Sequence, residues 1–447
     1  MTTPADLRDR LGALADLGAH DALATDLSAP AAAWQRGLGF RRRRRIGTAA
    51  IVVVALALLA GLGGTAFAQR DTVIAPAGSN APAGLPDRFF EVSPWLAGTD
   101  DEGPLGRLAV LIPAQRKDLL GRSEDGLVGI SATTGEYRFV DLPDRAEGGT
   151  LSPDGRKVAY WSPGPITGTP NSYEDGSPPA SGLAIHDAET GETARASIES
   201  EHGLMVDDLV WVDDATLAVG YGDYRVGDEA AGTPLGKGQG TSIRWYLWSV
   251  DDDLVLERPL PKRWLDVDTA ADGRILADKE ILDPRTGTQE RLRYRFGFMG
   301  VTALDALGTR VALPGDGGDN SRVPNTLQVT GTDGTTTIVP DSKHTYAAIG
   351  WSDKTHVAVH AAPAPGHIQD LRVDLIDIED GTRVTLIDAH GVGDNSFQLA
   401  TDLLSEPTLD AVDPPHPLDP RWVIAGLLSI VGAAGIALLR WRRRVAA

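Results

Sequence analysis

"LSPDGRKVAYWSP", Leu151–Pro163, is the stretch on which the fold turns. An apolar residue comes first, then the turn signal Ser152-Pro153-Asp154-Gly155, then an alternating run from Lys157 onward. That order makes a β-hairpin: the turn reverses the chain, and the alternation gives the next strand one face to bury. One copy specifies only a hairpin. An architecture follows if the chain repeats it.

The repeats are present in degenerate form. "VWVDDATLAVG" (Val210–Gly220), "VDTAADGRILA" (Val267–Ala277), "LDALGTRVAL" (Leu304–Leu313) and "IGWSDKTHVAV" (Ile349–Val359) each place an apolar residue, a polar turn with Asp or Gly, and a strand-like run in register with the opening stretch. A second hairpin follows each copy, and "LVGISATTGEYRFV" (Leu127–Val140) adds a sixth ahead of the first. Glycine closes these second turns at Gly135, Gly191, Gly287, Gly334 and Gly381, because tight hairpin turns need a positive φ that a Cβ resists. The copy at Asp251-Asp252-Asp253 lacks it. Gly287, Gly334 and Gly381 recur every 47 residues, and a period of about 40–50 with four strands per unit is that of a propeller blade.

"LSPDGRKVAY" followed by "LAIHDAETGE" resembles the WD40-like repeats of TolB-type β-propellers, whose blades carry SPDG in an early hairpin. The resemblance implies an all-β fold: a β-propeller of six blades, with seven as the alternative count, occupying residues 85–409. Asp154 and Gly155, with the five glycines above, are its structural turn residues.

Composition sets the surroundings. The 447-residue chain has no cysteine, which excludes disulfides, thiolate nucleophiles and cysteine-based zinc sites. Its formal charge is −20, yet its ends are basic, so the acidic middle is unsuited to nucleic acid. Arg41, Arg42, Arg43, Arg44 and Arg45 precede an uncharged apolar run, 46–68; Arg440, Arg442, Arg443 and Arg444 follow a second, 422–439. Each run is long enough to span a bilayer, and both arginine clusters lie away from the middle. The positive-inside rule then puts 1–45 and 440–447 in the cytoplasm and the propeller outside, joined to its helices by linkers 69–84 and 410–421. Ala66-Phe67-Ala68 also resembles a signal-peptidase site, although 45 residues before the run are many for a signal peptide. The whole layout resembles that of actinobacterial membrane proteins with extracytoplasmic WD40-like domains.

No G-x-S-x-G elbow or H-E-x-x-H helix occurs. His356 and His360 share a strand face but sit roughly 13 Å apart, too far for one metal, and read as strand-surface histidines. Asp316, Asp319 and Asn320 lie in an acidic Gly-rich loop that lacks the EF-hand pattern, so no metal or cofactor is expected. Trp211 and Trp351 occupy equivalent repeat positions, which argues for packing between blades. Inserts 162–182 and 220–241 interrupt consecutive blades and are the first places for a partner surface. Leu7, Leu11 and Leu14 make one stripe of an N-terminal amphipathic segment that offers a second. The expected function is non-enzymatic binding, sensing or scaffolding at the cell surface, with membrane lipid and a protein as partners. The alternative is an enzyme acting on a cell-envelope sugar or peptide from the propeller's central channel.

Overall fold

The computed structural model describes residues 82–446 except 171–178, 226–238, 241, 251–253, 261–268, 272, 278–279, 293–300, 316–324, 363–371 and 390–396. Strands follow one another as antiparallel meanders. Blade 1 contains β1 (Leu108–Lys117), β2 (Ser123–Ser131) and β3 (Tyr137–Phe139). Blade 2 is β4 (Glu147–Leu151), β5 (Lys157–Pro163), β6 (Ala180–Asp187) and β7 (Thr193–Ser197). Blade 3 is β8 (Leu204–Asp213), β9 (Thr216–Arg225), β11 (Arg244–Ser249) and β12 (Val255–Pro259), with β10 (Gln239–Gly240) added on β9. Blade 4 is β13 (Thr269–Ala271), β14 (Arg274–Ala277), β15 (Glu280–Asp283) and β16 (Thr288–Arg291). Blade 5 is β17 (Ala303–Leu304), β18 (Arg310–Gly315), β19 (Thr326–Gly331) and β20 (Thr336–Lys343). Blade 6 is β21 (Thr345–Trp351), β22 (His356–Ala361), β23 (Arg372–Asp377) and β24 (Arg383–Asp388).

The missing inner strand of blade 1 comes from the far end of the chain. β25 (Gln398–Leu399) pairs antiparallel with β1 through Val110↔Leu399 and Leu111↔Gln398. The ring is a six-bladed β-propeller, the fold expected from the repeats, with six blades rather than seven. Its core lies between blades. Trp161 and Leu183 of blade 2 share a cluster with Leu217 and Trp248 of blade 3. Blades 3 and 4 meet at Leu247 and Ile275, blades 4 and 5 at Leu276 and Val311, and blades 5 and 6 at Leu327 and Val357. Val373 of blade 6, Val110 of blade 1 and Val158 of blade 2 fall in one cluster, so every neighbouring pair is packed.

This packing corrects two expectations. The run after the SPDG turn is not half-buried by alternation: β5 is buried at five consecutive positions, because a middle strand of a blade faces a neighbouring sheet on both sides. For the same reason His360, on β22, is not a strand-surface histidine. It is buried against Phe397, with ring centroids 4.6 Å apart, while His356 at the strand's start stays half-exposed between Asp353 and Asp377.

The outer hairpins of blades 2, 4 and 6 share one turn device. Asp187 Oδ1 accepts the N–H groups of Glu189 and Thr190, and Gly191 N–H donates back to Asp187 O at 2.8 Å. Asp283 with Gly287 and Asp377 with Gly381 repeat the pattern, and Gly191, Gly287 and Gly381 have φ of 78°, 71° and 77°. In the SPDG turn, Ser152 Oγ donates to Asp154 Oδ1 (2.7 Å) and Gly155, at φ 75°, gives its carbonyl to Leu108 N–H (2.7 Å), tying blade 2 to blade 1.

The propeller's two ends meet at the closure. Asp87 N–H donates to Leu409 O (2.9 Å) and Leu409 N–H to Leu85 O (2.8 Å). Residues 89–98 then run past blade 1 to a short helix, α1 (Thr99–Glu102), and a final helix, α2 (Pro420–Ala446), follows the closure. Over Pro420–Arg444 α2 is long and apolar enough to cross a membrane, and its apolar window is not buried against the described residues. Arg440, Arg442, Arg443 and Arg444 end it, exposed. The first apolar run, Arg41–Arg45 and the Leu7–Leu14 stripe lie outside the described residues, as do Asp316, Asp319, Asn320 and Asp251–Asp253.

Candidate functional site

Meander geometry gives the ring two ends. The SPDG-type and Asp–Gly turns lie at one, here the turn end. The β1–β2, β5–β6, β9–β11, β18–β19 and β22–β23 connections lie at the other, the loop end. Both predicted inserts therefore belong to the loop end, on blades 2 and 3, although 171–178 and 226–238 are outside the described residues.

A cleft of about 900 Å³ opens at the loop end between blades 1 and 2, walled by the end of β1, the start of β2 and the segment joining β3 to β4. Two arginines in it are held differently. Arg116 lies over the Phe139 ring at 5.4 Å, and its Nη1 meets Asp141 Oδ1 at 2.5 Å. Asp141 is itself fixed: its Oδ2 accepts Asp100 N–H (2.9 Å), its own N–H donates to Thr99 Oγ1 (2.9 Å), and a Cβ on Gly98 would fall 1.9 Å from Oδ2. Arg145 bonds carbonyls, donating to Asp125 O and to Gly148 O (3.2 Å), and burial lowers its pKa from the ordinary arginine value. Tyr160 Oη and Arg195 Nη2 both donate to Pro143 O, bracing this segment from blade 2 (2.9 and 3.2 Å). Exposed Glu124 and Asp125 stand on the opposite wall. The cleft thus offers cationic and anionic groups to one ligand, which suits a polar, peptide-like or glycan partner rather than an apolar one.

The turn end carries a second feature, around the inner hairpins. Asp154, Asp214 and Asp402 come from blades 2, 3 and 1. Asp154 N–H donates to Asp214 Oδ1 (3.1 Å), and Asp402 N–H to Pro153 O (3.1 Å). Burial, reinforced by the negative charges of Asp154 and Asp402, pushes the Asp214 carboxyl up to about 6. Burial and Asp154 also raise Asp402, while Arg107 opposes that rise. Among the described residues no group of three or more His, Asp or Glu is arranged to hold a metal ion.

The tryptophans at equivalent positions do equivalent work. Trp211 Nε1 donates to Thr150 O on the inner strand of blade 2 (3.2 Å), and Trp351 Nε1 to Ala303 O on the inner strand of blade 5 (3.1 Å). Each ties its own blade to the preceding one. Gln398, on the closing strand of blade 1, makes the corresponding tie to the following blade, donating to Gly149 O (2.9 Å) and accepting Leu151 N–H (2.7 Å) on blade 2. Asp154 was visible in the sequence, and Asp214 stood in the aligned turn of the next copy. Arg116, Asp141 and Arg145 carried no motif, because the loops that hold them do not repeat.

No protein-family model matches the sequence, and no curated protein matches it. Among solved structures the chain is similar to TolB from Acinetobacter baumannii, at 13% identity over 63% of this chain and 64% of that one, with a TM-score of 0.39. It is similar to the Pyrococcus horikoshii acylaminoacyl peptidase at 14% identity, TM-score 0.39, covering 68% of this chain and 46% of that one. The β-propeller domain of the Trilobed protease from Pyrococcus furiosus matches at 15% identity over 63% and 80%, with a TM-score of 0.38. The chain thus spans less than two thirds of the TolB and peptidase chains. The fold rests on its own strand pairing.

Proposed function

We propose that the chain is a membrane-anchored extracytoplasmic propeller that binds a polar ligand, peptide or glycan, as a sensor or scaffold at the cell surface. The observation that carries the binding reading is the mixed-charge cleft between blades 1 and 2, open to solvent and braced from both sides. Anchoring is supported by α2, whose apolar window is not buried against the described residues, and by the arginines at its end. The apolar run at 46–68 is proposed as a second span with the same orientation. A protein partner belongs at the loop end or on the N-terminal segment.

The enzyme reading has one observation in its favour: the raised carboxyl of Asp214 beside Asp154 and Asp402, since a carboxyl near 6 is poised for proton transfer. One preparation tests both readings. A fluorophore on Ser123→Cys, in this cysteine-free chain, reports cleft occupancy as cell-wall peptides and envelope glycans are titrated. Saturable binding abolished by Arg145→Ala, without turnover, supports the binding reading. Product formation abolished by Asp214→Asn refutes it in favour of the enzyme. Topology is read separately: an impermeant maleimide should label Glu189→Cys in intact cells and Ala446→Cys only after permeabilisation, and the reverse pattern overturns the orientation.

A further inference from the structure

At the loop end, blade 1 finishes in a hairpin that displays two leucines. β1 and β2 stay paired out to Lys117↔Ser123, and local hydrogen bonds close the five residues between them. Asp118 N–H donates to Arg122 O (3.0 Å), Gly121 N–H to Asp118 O (2.9 Å), and Arg122 N–H to Asp118 Oδ1 (2.8 Å). Gly121 takes φ 84°, which closes the turn. What remains to face outward is Leu119, 59% exposed, and Leu120, 78% exposed.

The tip stands where α2 begins. A Cβ on Gly121 would lie 2.6 Å from Arg421 Nη1. That guanidinium sits 5.3 Å from the Trp95 ring and is held by Asp419, with Nη2–Oδ2 at 2.6 Å. Pro420, Trp95, Leu96, Leu119, Leu120 and Lys117 border one shallow hollow of about 710 Å³, and Trp422 follows, 78% exposed.

We propose that the 118–122 hairpin is a second membrane contact, a foot whose two leucines enter the interfacial layer of the bilayer that α2 crosses. The proposal rests on the reading of α2 as a membrane span. Its occupant is lipid for two reasons. The tip is continuous with the first turn of the span, so a helix whose apolar stretch starts at the hydrocarbon boundary carries the tip to headgroup depth. The surrounding residues also form an interfacial set: Trp95 and Trp422 for the boundary, with the cationic Lys117 and exposed Arg122 at either end of the hairpin, Arg421 engaged by Asp419, and Asp101 on the hollow's far side. Asp118, the acid within the turn, is engaged by its backbone. A helix alone leaves a propeller free to swivel. A helix and a foot fix its tilt, and hold the cleft beside Ser123 at a set height over the membrane.

The test uses the full chain reconstituted in vesicles of phosphatidylcholine with phosphatidylglycerol. An environment-sensitive fluorophore is placed singly at Leu120→Cys or Leu428→Cys, and nitroxide lipids quench at shallow or deep positions. The expected result is shallow-lipid quenching and a blue shift at 120, with deep-lipid quenching at 428. Quenching at 428 with none at 120 overturns the foot and leaves the anchor standing. No quenching at 428 overturns the anchor, and the foot with it. Self-crosslinking of Leu120→Cys without lipid quenching would assign the leucines to a second copy and equally overturn the proposal. Leu119 and Leu120 make no buried contact, so Leu119→Ser with Leu120→Ser should fold normally and abolish the shallow quenching of a probe at Ser123→Cys.

Discussion

Gly287 and Gly381 occupy the same place in their hairpins, with φ of 71° and 77°, yet alanine should not cost the same at both. At Gly287 a Cβ would find no atom within 4 Å. The cost there is only that of holding an L-residue in the left-handed region, about 1–2 kcal/mol. At Gly381 a Cβ would lie 2.1 Å from Pro340 O and 2.7 Å from Pro340 C, on β20 of the neighbouring blade. The nearest atoms are backbone, so the two blades must move apart, which adds about 1–3 kcal/mol of overpacking. Gly287→Ala should therefore lose about 1–2 kcal/mol and Gly381→Ala roughly 2–5 kcal/mol. For a chain of this size that is about 2 °C in Tm per kcal/mol, read by circular dichroism on the purified full chain. Gly191→Ala, also with open space around the Cβ, should track Gly287→Ala. Equal losses at 287 and 381 would refute the reasoning, because turn strain alone would then account for both and the blade 5–blade 6 contact would count for nothing.

Other outcomes follow from single contacts. Gln398→Leu leaves Leu151 N–H and Gly149 O without their partner and should cost about 1–3 kcal/mol in denaturant unfolding. Trp211→Phe should cost about 1 kcal/mol through the lost bond to Thr150 O, and no change would show that the indole only fills space. His360, held down to about 4 by burial, contributes stability that is complete above pH 6.5 and lost as pH falls toward 4; His360→Leu should remove that acid-side loss of Tm. Asp214 runs the other way: its folded value, about 6, lies above 3.8, so its contribution is complete below pH 3.8 and lost as pH rises through 6. Asp214→Asn should gain about 1 kcal/mol at pH 8, after discounting for solvent screening, and nothing at pH 4.

Turns were the legible part of this chain. Asp187, Asp283 and Asp377 bond residues two or three positions on, and the glycines four positions on take positive φ, so the whole device fits in five residues and survives as a motif. The loop-end cleft is the opposite case. Asp141 reaches Asp100 and Arg116, and Arg145 reaches Asp125, across separations that no local pattern records. Burial was misread where alternation was expected, because a strand between two blades has no solvent face to mark with polar residues; His360 sits on such a strand.

Closure lies between these cases. The hairpin at Leu127–Val140 has no SPDG-type partner before it, and nothing local in the sequence says which segment completes blade 1. The structure fills the gap with two residues, Gln398 and Leu399. So short a strand cannot close a ring by backbone pairing alone. The closure is completed by the Gln398 amide, by Phe397 against Phe89, and by the paired segments at Leu85–Asp87 and Leu409. The same segment then continues to α2. Tension on that helix would therefore act first on Leu409 and its partners. Truncation before Gln398 should open the ring at blade 1, whereas truncation after Ala411 should leave the propeller's melting transition intact.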